Sequence, residues 1–259
     1  MEEKTTIVTE KQFRKRTFIS FLFFFVFLAS VAAGWRWLLH QPTDSGTPKP
    51  LRTVMDANGF VFLHFFSKEK FTKTYPKSMA APVVRVNGKL GLKSAPDTAN
   101  WKLQVIRAAG DTLFITMQEI KSLPRTEVIF DFKCIEGWSQ VSHWGGVRFS
   151  DFIKKYKLDE QAKLQFTGLS TPDKEYYVGI DNKSMMHPQT ILSYEMNGEP
   201  LPADNGYPLR LIIPVKYGIK HLKRIGTISF SSQRRLITGM NGVMIIIAGY
   251  KLYLVEYLK

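Results

Sequence analysis

From Phe18 to Leu39 the chain is apolar except for Ser20, Ser30, Gly34 and Arg36. A run of this length is a helix able to span a bilayer, provided Arg36 snorkels and Trp35 and Trp37 sit at the interface. Before it lies a polar tail, Met1 to Arg16, which ends in Arg14-Lys15-Arg16. Those cations and Lys11 put the N-terminus in the cytoplasm and the body on the far side. Phe21 to Leu28 holds only phenylalanine, leucine and valine, and Val31-Ala32-Ala33 is a poor cleavage site. We therefore expect a cytoplasmic tail over residues 1–16 and an uncleaved single-pass anchor over 17–39, with a cleaved signal peptide as the alternative.

A linker over residues 40–80 should lead into the body. Gln41 to Leu51 (QPTDSGTPKPL) has three prolines and should be extended. FVFLHFF, from Phe60 to Phe66, reads as apolar and β-prone, with His64 packed in it. The 259 residues, 44% hydrophobic and 22% charged, suit one large folded domain. The net charge of +14 suits nucleic acid, an anionic membrane or an anionic ligand. Zinc-ligand spacing, a helix-turn-helix pattern and a basic block on a nucleic-acid fold are all missing, so no nucleic-acid partner is expected. The single cysteine, Cys134, excludes an intramolecular disulfide.

In the body, Val83–Leu92 reads as a strand with an Asn87-Gly88 turn, and Trp101–Arg107 and Thr112–Ile115 read as strands. Thr116 and Glu119 form a capping box for a short helix that Pro124 ends. Val128, Phe130 and Phe132 share one face of a strand ending at Cys134. A Gly137-Trp138-Ser139 turn follows, then Trp144-Gly145-Gly146, then a helix over Phe149–Tyr156 capped by Ser150. A thiol beside glycines and two tryptophans suggests a site; a buried, inert cysteine is the plainer reading. Lys163–Leu169, Tyr176–Ile180 and the Leu209–Val215 run are further strands, and Asn197-Gly198 and Asn205-Gly206 are hairpin signals. Arg210, Lys216, Lys220, His221, Lys223 and Arg224 crowd around Tyr217-Gly218. They suit a phosphate cradle or a solvated face.

Cys134-Ile135-Glu136-Gly137-Trp138-Ser139, with Trp144-Gly145-Gly146-Val147, resembles the molybdenum-binding segment of the sulfite oxidase superfamily. Met186-His187-Pro188, Tyr194 to Pro202, Asn205 to Arg210 and Pro214 to Lys220 resemble later motifs of the same domain, in the same order. The resemblance covers roughly Trp101 to Phe230, nearest the bacterial methionine-sulfoxide reductase branch. It implies a β-rich α+β fold over residues 81–232 around one molybdenum-molybdopterin. Cys134 matches the thiolate ligand, as expected for a soft donor. Asn205 and Arg210 match residues that hold the cofactor, and His221, Leu222 and Lys223 match a loop against its phosphate. Thr167, beside the better-aligned Gly168, is a further candidate. Sulfite oxidases proper carry an arginine in a Cys-Ala-Gly-Asn-Arg pattern. This chain has Ile135 to Ser139 there, which points away from sulfite.

The resemblance implies oxygen-atom transfer on a small oxo substrate such as a sulfoxide. Room for a haem or dimerisation domain is lacking, so a monomer with a separate redox partner, such as a membrane haem protein, is expected. Cofactor loading before export gives weight to Lys15-Arg16-Thr17-Phe18-Ile19 as a twin-arginine-like signal, with the body in the periplasm. The alternative is a non-catalytic or electron-shuttling membrane protein that keeps the fold. Residues 233–259 depart from the family's acidic-aromatic tail. Met240–Leu258 makes a poor second span because of Lys251 and Glu256. Back-translated with permitted codons, LITGMNGVMIIIAGYK reads in another frame as DYWNERGYDYYSWL and a stop. That matches the missing tail and suggests a frameshift near Arg235; codons incompatible with that frame in the gene end the idea.

Overall fold

The structure, a computed structural model, describes residues 9–44, 47–65, 71–86, 88–93, 100–107 and 110–232, with the backbone of 244–247 and 250–253. The chain divides into two compact units at Asn58/Gly59.

In the first unit a single helix, α1, runs from Glu10 to Leu39. It starts at a capping box between Thr9 and Gln12 and has no buried residue. By length and composition α1 can cross a membrane. Two short strands, β1 (Thr43–Asp44) and β2 (Thr47–Pro48), pair antiparallel. Helix α2 (Lys49–Phe65) follows and runs past the unit boundary. The expected extended linker is strand at Thr43–Asp44 and Thr47–Pro48 but is helix from Lys49 on, and the β-prone reading of FVFLHFF is corrected over Phe60–Phe65, which is helix. Apolar runs do not distinguish strand from helix by period, and Val61 is the only β-branched residue from Phe60 to Phe65. The His64 side chain lies outside the described residues.

The second unit is built on two five-stranded sheets. In chain order its elements are β3 (Lys102–Ile106), β4 (Thr112–Thr116), α3 (Met117–Lys121), β5 (Arg125–Lys133), β6 (Ser139–Arg148), α4 (Phe149–Lys155), α5 (Asp159–Ala162), β7 (Phe166–Ser170), β8 (Tyr177–Asp181), α6 (Asn182–Met185), β9 (Ile191–Met196), β10 (Glu199–Pro200), β11 (Arg210–Ile212) and β12 (Thr227–Ser231). One sheet has the order β10-β9-β6-β5, with β11 also on β9; the other is β4-β3-β12-β7-β8. Only β12 and β3 pair in parallel among the described strands. The sheets and flanking helices make an α+β fold. In the tail, β13 (Met244–Ile247) and β14 (Tyr250–Tyr253) form a hairpin of their own. The backbone described there is strand and not a membrane helix.

Several elements follow their sequence signals. The Thr116–Glu119 capping box starts α3. Asn197 and Gly198, with φ of 56° and 85°, turn β9 into β10. Asn205-Gly206 instead closes a 3-10 turn, and α4 is capped at Arg148 without a side-chain bond, not by Ser150. No strand occupies the described part of Val83–Leu92.

Strand β6 carries the Trp144-Gly145-Gly146 motif through the middle of its sheet. Its glycines answer to β9, not to the site. A Cβ on Gly146 would lie 2.1 Å from the Leu192 carbonyl oxygen, and one on Gly145 would lie 2.6 Å from the Glu195 carboxylate. The register slips between the two, as at a bulge. The space beside Gly145 holds Arg125, whose Nε and Nη2 donate to Glu195 at 2.8 and 2.7 Å. Arg125 also pairs with Glu127, which Lys77 bridges at 2.8 Å.

Candidate cofactor site

The buried residues Val128, Phe130 and Phe132 of β5, Trp144 of β6, and Ile191, Leu201 and Ile212 form a small second core beside the main one. Cys134 lies just past the end of β5, 5% exposed. Its N–H donates to the Trp138 carbonyl at 2.9 Å, and its own carbonyl accepts from Gly137 at 3.2 Å. Gly137 has φ +89°, a left-handed conformation that glycine adopts without strain. The turn holds the thiol in the lining of a cavity of about 290 Å³. Phe132, Trp138 and Trp144 supply aromatic lining, and Arg85, Arg210 and Lys223 supply cations against the single carboxylate of Glu136.

Arg210, at the start of β11, is 5% exposed. Its guanidinium lies 4.8 Å from the Trp144 ring centre and 5.5 Å from that of Phe132. Nη1 donates to the Asn205 carbonyl at 2.9 Å. Arg210 Nε and the buried Asn205 Nδ2 have no hydrogen-bond partner among the described residues, and no described carboxylate pairs with Arg210. Burial lowers its pKa to about 10, so it stays charged at neutral pH. A buried, unpaired cation with idle donors is costly unless an anion joins it. These groups fit an anionic cofactor, and the nearby thiol fits its metal.

His221 lines the cavity but brings no charge. Its Nδ1 accepts from the Ile213 N–H at 3.4 Å, which leaves Nε2 to donate to the Lys216 carbonyl at 3.1 Å. The ring stacks on Phe130 and meets Phe132 edge-on. Burial, then Arg210, push its pKa down to about 3. His221 is a neutral brace for the Lys216–His221 loop. Since its folded pKa lies below the unfolded value, its contribution to stability is full above about pH 6.5 and declines as pH falls toward about 3. The urea midpoint of His221→Gln should therefore vary less across that acid window than that of the parent. Lys223 Nζ donates to the carbonyls of Gly88 and Asp204 at 3.1 and 2.8 Å. Burial, then Arg210, lower its pKa to about 8.

Cys134, Arg210, His221 and Lys223 thus meet at one cavity, and Asn205 joins through Arg210. Leu222 puts its side chain in the main core, and its carbonyl accepts from Leu211 at 2.9 Å. Thr167 is not brought to the cavity. Its buried hydroxyl donates to Asn182 Oδ1, whose amide holds the carbonyls of Ala162 and Leu164. Sequence reading missed Arg85 and Tyr176 in the lining. Tyr176 donates to the Ile219 carbonyl at 2.8 Å, and neither residue sits in a motif that would have marked it.

Arg210→Met removes the unpaired cation and keeps its bulk, so the cofactor-free chain should be as stable or up to about 4 kcal/mol more stable. Its cofactor content should fall at the same time. Thermal melts and metal analysis of the same preparation check both.

A buried thiol, aromatic rings and the unpaired Arg210 cation lining one cavity suit a protein that takes an anionic, metal-bearing redox cofactor. The family model for the oxidoreductase molybdopterin binding domain matches residues 91–237. The chain belongs to that family, within the sulfite oxidase superfamily, and its cofactor is molybdenum-molybdopterin. It is 31% identical to the YedZ1 subunit of Azospira oryzae over 70% of this chain and 69% of that one. To the protein-methionine-sulfoxide reductase catalytic subunit MsrP of Campylobacter jejuni it is 33% identical, over 53% of this chain and 51% of that one. To MsrP of Xanthomonas campestris it is 34% identical, over 50% and 44%. The match therefore spans about half the length of the MsrP relatives.

Proposed function

We propose that this chain is a membrane-anchored, exported molybdopterin oxidoreductase that reduces methionine sulfoxide, with electrons from a separate redox partner. The observation that carries the reading is the cavity itself: Cys134 and Arg210 share its lining, and Arg210 Nε is idle. The names of the MsrP relatives support the substrate, as does Ile135–Ser139 in place of the sulfite-oxidase arginine pattern. Helix α1 and the cations before it support the anchor and its orientation.

In this reading Cys134 would ligate the metal as thiolate, and Asn205, Arg210 and Lys223 would hold the anionic part of the cofactor. Bound there, the cofactor supplies two-electron oxygen-atom chemistry. The net reaction takes a sulfoxide, two electrons and two protons to a thioether and water. Phe132, Trp138 and Trp144 exclude water and offer ring surfaces to the sulfur and its methyl group. The carrier of the electrons and a monomeric state remain part of this proposal. So does a frameshifted tail, which the end of the family match at residue 237 supports.

The test uses the purified full chain. About one molybdenum per chain, with reduction of methionine sulfoxide from an artificial electron donor, is the expected result. Metal without turnover would favour the electron-shuttling alternative, and metal-free protein overturns the cofactor role.

A further inference from the structure

Residues Ala80 to Val86 form a strap beside the cavity, with Val84 and Arg85 in its lining. One side of the strap is fixed to the body. Ala81 N–H donates to the Val141 carbonyl at 3.0 Å, and Arg85 N–H donates to Gln140 Oε1 at 2.9 Å. Gln140 Nε2 returns a bond to the Val83 carbonyl at 3.0 Å. The Asn197 amide holds the Ala81 and Pro82 carbonyls. The Arg85 guanidinium lies 4.8 Å over the Trp138 ring.

Elsewhere along the strap, backbone groups are idle among the described residues. No hydrogen bond to a described residue is formed by the backbone of Val84 or Val86. Its exposed side chains include apolar ones where solvent would favour polar: Val83 is 79% exposed and Val86 43%. A fixed, irregular segment with the Val83, Val84 and Val86 N–H groups idle among the described residues and apolar side chains exposed offers backbone with which an extended chain can pair. Its position decides what is added, because the same segment lines the cavity that holds Cys134.

We propose that the strap binds the backbone of an extended, apolar polypeptide whose methionine sulfoxide enters the cavity. This rests on the proposed function for the identity of the entering side chain, but the docking itself does not need turnover. Val86 does not line the cavity, so the strap can be altered without touching the site.

Val86→Pro removes an N–H that no described residue accepts and keeps the Arg85 N–H that Gln140 accepts. The experiment uses the full chain with a fluorescent, valine-flanked methionine peptide, binding read by anisotropy and reduction of its sulfoxide by kinetics. Dimethyl sulfoxide, which has no flanking chain, is the reference substrate. Val86→Pro should weaken peptide binding and lower kcat/KM for the peptide sulfoxide about tenfold, the weight of one or two backbone bonds. Molybdenum content and dimethyl sulfoxide turnover should hold. A peptide N-methylated at the flanking amides should lose binding to the parent chain by a similar factor. Equal binding by parent and variant overturns the proposal. So does a parallel loss of dimethyl sulfoxide turnover, or a parent dimer that Val86→Pro dissolves, which would make a second copy the occupant. If the parent binds the peptide in this Val86-dependent way but reduces neither sulfoxide, the strap stands and the proposed activity fails.

Discussion

Cys134→Ser should leave a folded chain that no longer retains molybdenum. The thiol is nearly isosteric with a hydroxyl, and the turn around it is held by backbone bonds from Cys134 to Trp138 and Gly137. Neither bond involves the side chain, so the change should cost no more than about 1 kcal/mol of stability. Its effect on ligation is far larger. A soft thiolate suits a soft metal centre, whereas a serine hydroxyl keeps its proton near neutral pH and is a hard donor. Metal content should fall at least about tenfold, with turnover lost in proportion. Elemental analysis beside an unchanged circular dichroism spectrum is the check. A serine variant loaded like the parent would remove Cys134 from the metal site.

Gly146→Ala should unfold the second unit or come close to it. The new methyl would sit 2.1 Å from the Leu192 carbonyl oxygen and 2.7 Å from the Ser193 Cα. Both are backbone atoms of β9, which pairs with β6 on one side and with β10 and β11 on its other. No rotamer relieves the clash, so the strands must part. Overpacking of this kind costs about 3 kcal/mol or more, a large share of the roughly 5–15 kcal/mol that holds a domain together. Gly137→Ala is the contrast. Nothing lies within 4 Å of its added methyl, so only the left-handed backbone penalty of about 1–2 kcal/mol applies. Urea midpoints of the two variants should rank accordingly. A Gly146→Ala protein as stable as Gly137→Ala would show that β6 and β9 do not pack as described.

The parts of the fold that sequence reveals are those set by local chemistry. The capping box of α3, the alternation along β5 and the Asn197-Gly198 turn each depend on residues a few positions apart. Strand β6 was hidden because its glycines obey β9, a strand far along the chain. Helix α2 was hidden because Phe60–Phe65 is apolar without a period. At the site, Cys134, Arg210, His221 and Lys223 were legible through long motifs, whereas Lys216, Lys220 and Arg224 of the same basic run are spent on Asp181 and on the Gly179 and Tyr207 carbonyls. That His221 contributes a neutral brace and not a charge depends on two backbone groups, at Ile213 and Lys216, that no motif encodes. Thr167 was named for its neighbourhood in sequence, but its hydroxyl is spent on Asn182.

Arg210 ties two events together that are usually treated apart. Its charge is sealed among Phe132 and Trp144 with no carboxylate to meet it among the described residues. The empty chain thus carries an electrostatic debt that a bound polyanion cancels, so ligand capture deepens the native basin by mass action. Molecules that never acquire their anion open more often and are exposed longer to proteases. In a cell, the surviving population would then be enriched in loaded molecules without any dedicated inspector.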